Sequence, residues 1–191
     1  MILEVVKYGH PALRQKGACV ESVNASIKKL IADMFETMYA AKGVGLAAQQ
    51  VGHALQLTVI DVRGVTDRPS TLERKGKPDD VHDFMPLVLI NPEVKPVGET
   101  VTAGEGCLSF PEIFAEISRP DFADVKALNQ KGKPIEFRCG GLLARVVQHE
   151  TDHLNGILFI DRMASATKRE LKPQLDELQA ATKAGLPAVK K

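Results

Sequence analysis

The chain has 191 residues, of which 44% are hydrophobic, and this composition suits one compact domain with a substantial core rather than a disordered chain. Its 25 basic and 24 acidic residues give a net charge of +1, which excludes the strongly basic surface of a protein that binds mainly nucleic acid. The three cysteines favour a reducing cytoplasm over a disulfide framework, and the sequence shows neither a signal peptide nor an apolar run of about 18 residues that would span a membrane.

The first half of the chain is predicted to contain one amphipathic helix and two strands. Apolar residues recur with helical spacing over residues 25–41, and Asn24 is suited to cap the first turn. Residues 55–62 and 86–91 are apolar and rich in β-branched side chains, so both are predicted strands. Residues 63–84 are polar and charged, contain Pro and Gly, and are predicted to form a long surface loop.

The second half is predicted to contain a hairpin followed by two helices. Residues 122–128 and 134–139 have strand composition and flank a short polar turn. Residues 142–154 have helical periodicity, and residues 166–183 are predicted to form a last helix that bends or restarts near Pro173. Because the strands come before these two helices, the order favours an α+β fold over alternating βαβ units.

The helix predicted over residues 142–154 carries the pattern HExxH. His149 and His153 are four residues apart, so both rings project from one face and can bind one metal ion. Leu142 and Val146 share that face, which predicts an apolar wall beside the ion. Glu150 flanks the two histidines and is placed to accept a proton from water. The opposite face is predicted to be more polar and carries Arg145, Gln148, Thr151 and Asn155.

A catalytic zinc-like site needs three protein ligands and one open position, and the spacing alone does not identify the third ligand. In one peptidase pattern the third ligand would fall at Phe159, which cannot bind metal. Glu170 or Glu177 could serve, but both lie in a segment of alternating charge that suggests a solvated surface. Cys107 follows two nearby glycines, Gly104 and Gly106, and is close to the small polar Ser109, whereas Cys139 precedes two glycines. If both cysteines were ligands, the site would be a closed structural zinc site.

Three segments resemble the motifs of the peptide deformylase family. Residues 43–50, GVGLAAQQ, resemble the motif GxGLAAxQ; residues 105–109 are identical to EGCLS; and residues 148–153, QHETDH, resemble QHExDH. The resemblance covers roughly residues 1–170 and implies an α+β fold in which antiparallel sheets surround the helix that bears HExxH, with an N-terminal and a C-terminal helix. It predicts one metallohydrolase domain over 1–170, followed by the helix end and a frayed tail over 171–191.

The resemblance also assigns roles to individual residues. The metal ligands that it implies are Cys107, His149 and His153. It implies that Gln50 and the backbone N–H of Leu108 stabilise the oxyanion, and that Glu150 acts first as general base and then as general acid. The positions expected to bind the substrate are Gly43, Val44, Gly45, Glu105, Gly106, Leu142 and Val146. Glu105 is also a candidate to orient a ligand histidine.

The activity implied by the resemblance is removal of the N-formyl group from N-formylmethionyl nascent peptides, with release of formate. The implied cofactor is one divalent ion, Fe2+ as the usual native metal, with Zn2+, Ni2+ or Co2+ as alternatives. Ribosome docking through the C-terminal helix is a further implication, whereas the residues themselves favour a solvated helix there. No membrane and no direct nucleic-acid function is expected.

Three further features depart from the family pattern or concern residues without a role in its motifs. Phe114 stands where many members carry an Arg near the bound peptide, which predicts altered contacts with the peptide backbone. Residues 63–84 are longer than in compact family members. Asp152 and Arg119 are predicted either to pair near the site or, for Asp152, to be simply exposed.

Overall fold

The structure is a computed structural model that describes residues 1–187. The last part of the predicted tail, residues 188–191, lies outside the described residues. The fold is α+β, as predicted. The α-helices are α1 (Ala25–Ala40), α2 (Val81–Phe84), α3 (Gly141–Leu154), α4 (Ser165–Glu170) and α5 (Lys172–Gly185). The strands are β1 (Gly45–Ala47), β2 (Leu57–Ile60), β3 (Ser70–Arg74), β4 (Lys77–Pro78), β5 (Leu87–Cys107), β6 (Phe110–Leu128) and β7 (Pro134–Gly140).

All named strands belong to one antiparallel sheet with the order β1-β2-β5-β6-β7-β3-β4. Its longest pairing joins β5 and β6, from the pair Ile90 and Leu128 to the pair Cys107 and Phe110, with irregular register at three points. The β5–β6 hairpin therefore delivers Cys107 to a tight turn at one end of the sheet.

Helix α3 packs against most of this sheet. It contacts strands β1, β2, β3, β5, β6 and β7, and almost all of its side chains are buried. Leu143 and Val147 lie in a core cluster with residues of β2, β5, β6 and β7. Because a helix with buried side chains on all faces must be covered on all sides, the chain holds the HExxH segment rigidly in the protein interior.

Helix α1 and the C-terminal helices complete the domain on either side of this core. Asn24 caps α1 by accepting a hydrogen bond from the Ile27 N–H at 3.0 Å, and Met34 and Met38 of α1 are fully buried. Helix α5 begins with Pro173 in its first turn, as predicted, and its Leu175 packs in a cluster with Phe110. The division of the chain at residue 170 stays a prediction. No helix in residues 1–187 is both long enough and apolar enough to cross a membrane.

The prediction of a long loop over residues 63–84 was wrong in part. Residues 70–78 form the β3–β4 hairpin, and β3 pairs with β7 from Thr71–Gly140 to Glu73–Arg138. Only Leu72 of β3 is buried, because β3 and β4 lie at the edge of the sheet. The hairpin forms through backbone hydrogen bonds to a strand that is distant in sequence, and these leave no hydrophobic pattern.

The strand predicted over residues 86–91 is correct but much too short. Strand β5 continues to Cys107, and β6 begins at Phe110, well before the predicted residue 122. Most residues from 92 to 104 are exposed, so this part of the hairpin has no buried face to impose alternation on the sequence. The turn between 128 and 134 is confirmed, since Leu128 pairs with Pro134.

Candidate metal centre

The structure brings three metal-binding side chains together from two elements that are distant in sequence. Cys107 ends β5, and His149 and His153 occupy successive turns of α3. One donor atom of each lies within 4.8 Å of the others, and Cys107 Sγ lies 3.3 Å from His153 Nε2. One sulfur and two imidazole nitrogens are a donor set that Zn2+ and related divalent ions accept. Within residues 1–187 this is the one group of three such donors.

The other candidates for a third ligand lie elsewhere. Cys139 is fully buried in β7, where its thiol faces the Ala123 carbonyl at 3.7 Å, and burial raises the pKa of that thiol to about 12. A thiol with so high a pKa is a poor metal ligand because the thiolate is the binding form. Glu170 and Glu177 are exposed on α4 and α5, as their charge pattern predicts.

Glu150 lies beside the histidines and is buried. Burial is the main cause that raises the pKa of its carboxyl to about 7. Its Oε2 atom has no hydrogen-bond partner among the described residues, and such an atom in a buried position is one that a bound water or substrate can engage. Gly45 faces this carboxylate so closely that a Cβ there would collide with Glu150 Oε1. The glycine is therefore required for the carboxylate to hold its position.

Gln50 lies beside Cys107, in a 3-10 turn formed by residues 48–51. Its Oε1 accepts a hydrogen bond from the Ala47 N–H at 2.8 Å, which fixes the orientation of the amide. Its Nε2 then points to Cys107 Sγ at 3.5 Å and to Ser109 Oγ at 3.4 Å. Leu108 follows Cys107 in the two-residue turn that joins β5 to β6. Both predicted oxyanion donors thus lie next to the thiolate ligand.

Glu105 anchors a buried ionic network behind His149. Its carboxylate accepts hydrogen bonds from Arg119 at 2.6 and 3.0 Å and from Arg145 at 2.7 Å, and it contacts His149 Nδ1 at 3.0 Å. Burial opposes ionisation of Glu105, but the hydrogen bonds with His149 and Arg119 outweigh it and lower its pKa to about 2. A carboxylate on Nδ1 leaves Nε2 to face the donor cluster and fixes the ring plane.

The predicted pair of Asp152 and Arg119 is present. Arg119 Nη1 donates to Asp152 Oδ2 at 2.8 Å, and Arg162 Nη2 donates to Asp152 Oδ1 at 2.7 Å. The network therefore continues from Glu105 through Arg119 and Asp152 to Arg162. Arg162 received no role from the sequence, since it lies beyond the HExxH helix in an irregular segment.

Two residues of the more polar face of α3, Arg145 and Gln148, do not face solvent. Both are buried, at 8% and 5% exposure. The β5–β6 hairpin covers this face, and the Arg145 guanidinium is satisfied by Glu105 together with the backbone oxygens of Ile117 and Val101 at 2.8 and 2.7 Å. The signal in the sequence is the position of this single Arg between Leu-Leu-Ala and Val-Val, since an apolar run on both sides favours burial.

Replacing Arg119 with Leu is expected to lower the free energy of unfolding by about 3 kcal/mol, because removing one partner of a buried ion pair leaves the other charge uncompensated. The loss stays at the lower end of the usual range since Arg145 and Arg162 still contact the two carboxylates. Urea unfolding monitored by circular dichroism measures it. Arg138→Leu is the matched control: it breaks an exposed pair with Asp124, where water screens the charges, and should cost much less. Equal losses in both variants would contradict the structural role of the network.

A cavity of about 560 Å³ opens beside the donor cluster. Its walls include every position predicted to contact substrate: Gly43, Val44, Gly45, Glu105, Gly106, Leu142 and Val146. Gln50, Cys107, Leu108, His149 and Glu150 line the same cavity. A larger groove of about 830 Å³ crosses β5, β6 and β7, but its lining is dominated by surface charges such as the Asp124–Arg138 pair and holds none of the donor atoms. The smaller cavity is therefore the candidate site.

Phe114 lies at the rim of this cavity. Its side chain is largely exposed and packs over Gly106, where a Cβ would approach the ring to 2.7 Å. The cavity rim at this point is an aromatic face and not a cationic group. An aromatic side chain at this position borders the cavity without filling it.

A sulfur and two nitrogen donors beside a buried carboxylate, in a cavity open to a small substrate, place the chain among the metal-dependent hydrolases. Comparison with known proteins identifies the family. The family model for polypeptide deformylase matches residues 2–169. The chain belongs to the peptide deformylase family, whose members use a catalytic divalent metal and remove the N-formyl group from nascent peptides.

The similarity extends over almost the whole chain. A peptide deformylase of Methylacidiphilum infernorum is 45% identical over 179 residues, which cover 94% of each chain. One of Opitutus terrae is 41% identical over 186 residues, 96% of each chain. The crystal structure of a peptide deformylase from Legionella pneumophila is 36% identical, with a TM-score of 0.78 over 98% of this chain and 100% of that one. A Synechococcus elongatus peptide deformylase in complex with actinonin is also 36% identical, with a TM-score of 0.77 over 97% of this chain and 91% of the other.

Proposed function

We propose that this site deformylates N-formylmethionyl peptides, with one divalent ion bound by Cys107, His149 and His153. The observation that supports the proposal is the meeting of these three donors with the Glu150 carboxylate at one cavity. Each group has a separate task in amide hydrolysis: binding the ion, moving protons and receiving the negative charge of the oxyanion. All the groups needed for that reaction come from this one chain.

The ion is proposed to be Fe2+ natively, with Zn2+, Ni2+ or Co2+ as substitutes. When bound, it supplies Lewis acidity that makes a water molecule nucleophilic near neutral pH and polarises the formyl group. The thiolate of Cys107 makes the donor set soft, and a thiolate beside Fe2+ is open to oxidation, so activity should decay in air. The His153 atom directed to the cluster is Nε2, because it lies 3.3 Å from Cys107 Sγ. The buried Nδ1 of the same ring has no partner among the described residues.

Glu150 is proposed to carry the proton. Its carboxylate accepts a proton from the attacking water and then donates it to the leaving amine of the methionyl peptide. A buried carboxyl whose pKa lies near the working pH can do both, because it exchanges protons readily in either direction. Since it is not one of the three clustered donors, this exchange leaves the metal ligands unchanged.

The oxyanion that develops on the formyl oxygen is proposed to receive hydrogen bonds from Gln50 Nε2 and the Leu108 N–H. The Gln50 amide is held by its bond from Ala47 before the substrate arrives, so little reorganisation is needed. One donor of this kind stabilises a transition state by about 3–4 kcal/mol. Glu105 lines the cavity, but its oxygens are engaged by Arg119, Arg145 and His149, so we propose that it orients His149.

The methionine side chain is proposed to occupy the apolar part of the cavity. Leu142 and Val146 line it from α3, and Gly43, Val44 and Gly45 line it from the segment around β1. The absence of side chains at the two glycines lets the substrate backbone approach closely.

Gly45→Ala is expected to lower kcat by about a hundredfold, since the added Cβ displaces the Glu150 carboxylate and small misplacements of a catalytic group have effects of this size. Steady-state formate release measures kcat and KM. Gly64→Ala is the control, because a Cβ at Gly64 meets nothing within 4 Å. An unchanged kcat for Gly45→Ala would show that the contact with Glu150 does not matter.

The activity is tested directly by measuring formate release from a formyl-Met tripeptide and from the matching acetyl-Met tripeptide, using protein purified without oxygen. The proposal requires rapid turnover of the formyl peptide, little turnover of the acetyl peptide, and inhibition by actinonin, the compound bound in the Synechococcus structure. Metal-loaded protein that releases no formate would refute the proposed function.

Cytoplasmic location and contact with the ribosome stay predictions. Helix α5 has one buried residue, Leu175, and otherwise presents half-buried or exposed side chains. Its outer surface is therefore accessible to a partner. Co-sedimentation with ribosomes, compared with a chain that ends before α5, tests the contact.

A further inference from the structure

The N-terminal segment joins the two parts of the chain that carry the proposed oxyanion donors. The Val6 N–H donates to the Gln50 carbonyl at 2.9 Å, and the Tyr8 N–H donates to the Ser109 carbonyl at 2.9 Å. Between them, Lys7 Nζ donates to the Leu108 carbonyl at 2.8 Å. Three successive residues thus fasten both sides of the proposed oxyanion site.

Lys7 differs from the surface lysines of this chain in its surroundings. It is half-buried and lines the catalytic cavity. Within residues 1–187, no carboxylate oxygen lies within ion-pairing distance of its Nζ. Its hydrogen-bond acceptor is the Leu108 carbonyl. Partial burial of an ammonium has a cost, which the hydrogen bond to the Leu108 carbonyl and the charges of the nearby Cys107 and Glu4 side chains offset in part. Its position therefore calls for a role at the site.

Leu108 is held from two directions. Its carbonyl is bonded by Lys7, and its side chain packs over Gly43, where a Cβ would meet Leu108 Cδ1 at 2.7 Å. The strand pair Cys107–Phe110 closes this turn, and within it Lys7 holds the peptide unit that joins Leu108 to Ser109. That unit adjoins the one that carries the Leu108 N–H.

We propose that Lys7 is a positioning residue for deformylation: it fixes residue 108 so that the Leu108 N–H faces the formyl oxygen. The inference deepens the proposed function and rests on it. Lys7 acts through the backbone of Leu108 and does not transfer a proton. Its loss should therefore weaken stabilisation of the transition state without changing binding of the methionine side chain or of the metal.

The test compares Lys7→Met, which keeps the length of the side chain but removes its charge and donor, with Lys7→Arg and with the control Lys16→Met. Lys16 is exposed in the same N-terminal segment. For each protein the measurements are kcat, KM, metal content, thermal midpoint and, in the zinc-loaded form, the amide NMR resonance of Leu108. The resonance reports the position of residue 108 without any need for turnover.

We expect Lys7→Met to lower kcat by about tenfold with KM unchanged within about twofold, because a small displacement of a donor has effects of this order. The Leu108 resonance should shift or broaden, Lys7→Arg should recover most of kcat, and Lys16→Met should match the unmodified protein. A normal kcat in Lys7→Met, or a loss confined to KM, would overturn the inference. If the unmodified protein releases no formate, the proposed function fails, and an unmoved Leu108 resonance refutes the positioning contact separately.

Discussion

Glu150→Gln is expected to abolish most turnover while leaving the protein folded and metal-loaded. The amide has the size of the carboxylate but cannot accept the proton of the attacking water, so kcat should fall by about a thousandfold, within the range known for loss of a general base. Metal content should stay at that of the unmodified protein because Glu150 is not one of the three clustered donors. Formate release and metal analysis on the same preparation measure both quantities.

The matched control for this variant is Glu116→Gln. Glu116 is exposed on β6, opposite Gly104, so its replacement changes the net charge equally and should leave kcat unaltered. If Glu150→Gln kept a normal kcat, proton transfer would have to come from another group. If it lost its metal, Glu150 would be a ligand and the proposed division of tasks would be wrong.

Cys107→Ala is expected to remove the bound metal and the activity together. A catalytic site retains its ion through three protein ligands, and with two imidazoles alone the affinity becomes too low for the ion to survive purification. Metal content should fall from one ion per chain to nearly none. The fold should persist, since Cys107 lies at the end of a long hairpin whose pairing extends back to the pair Ile90 and Leu128.

The other cysteines give this prediction its control. Cys139→Ala removes the rival ligand but should keep one ion per chain, with a modest loss of stability because the thiol is fully buried. Cys19→Ala changes an exposed residue and should have no effect. If Cys107→Ala kept full metal content, Cys107 would not be the third ligand. Another residue would have to bind the ion, and Glu177 would be the first to test.

The sequence predicted helices α1 and α3 correctly because each has a long apolar repeat and a recognisable end. Asn24 caps the first, and Gly156, with a φ of 72°, follows the second. The same repeat predicted that His149, His153, Leu142 and Val146 share one face of α3. His149, Leu142 and Val146 line the cavity, and His153 belongs to the donor cluster. Local periodicity is sufficient for features that lie on one helix.

Features that depend on pairing between distant segments were not predictable in this way. Strand β3 has its partner in β7, and the exposed part of the β5–β6 hairpin has no core to face, so neither has a pattern of its own. The spacing left Cys107, Cys139 and the glutamates open as third ligand, and only the motif resemblance favoured Cys107. The burial of Arg145 depends on Glu105, a residue 40 positions away that folding brings beside it.

The most direct test of the proposed centre is the X-ray absorption spectrum of the zinc-substituted protein at the zinc edge. The proposed ligands predict one sulfur at about 2.3 Å and two imidazole nitrogens at about 2.0–2.1 Å, with an oxygen completing the shell. The sulfur contribution should disappear in Cys107→Ala protein reloaded with excess zinc and persist in Cys139→Ala. A shell with no sulfur, or with two, would contradict the assignment of Cys107, His149 and His153 as the metal ligands.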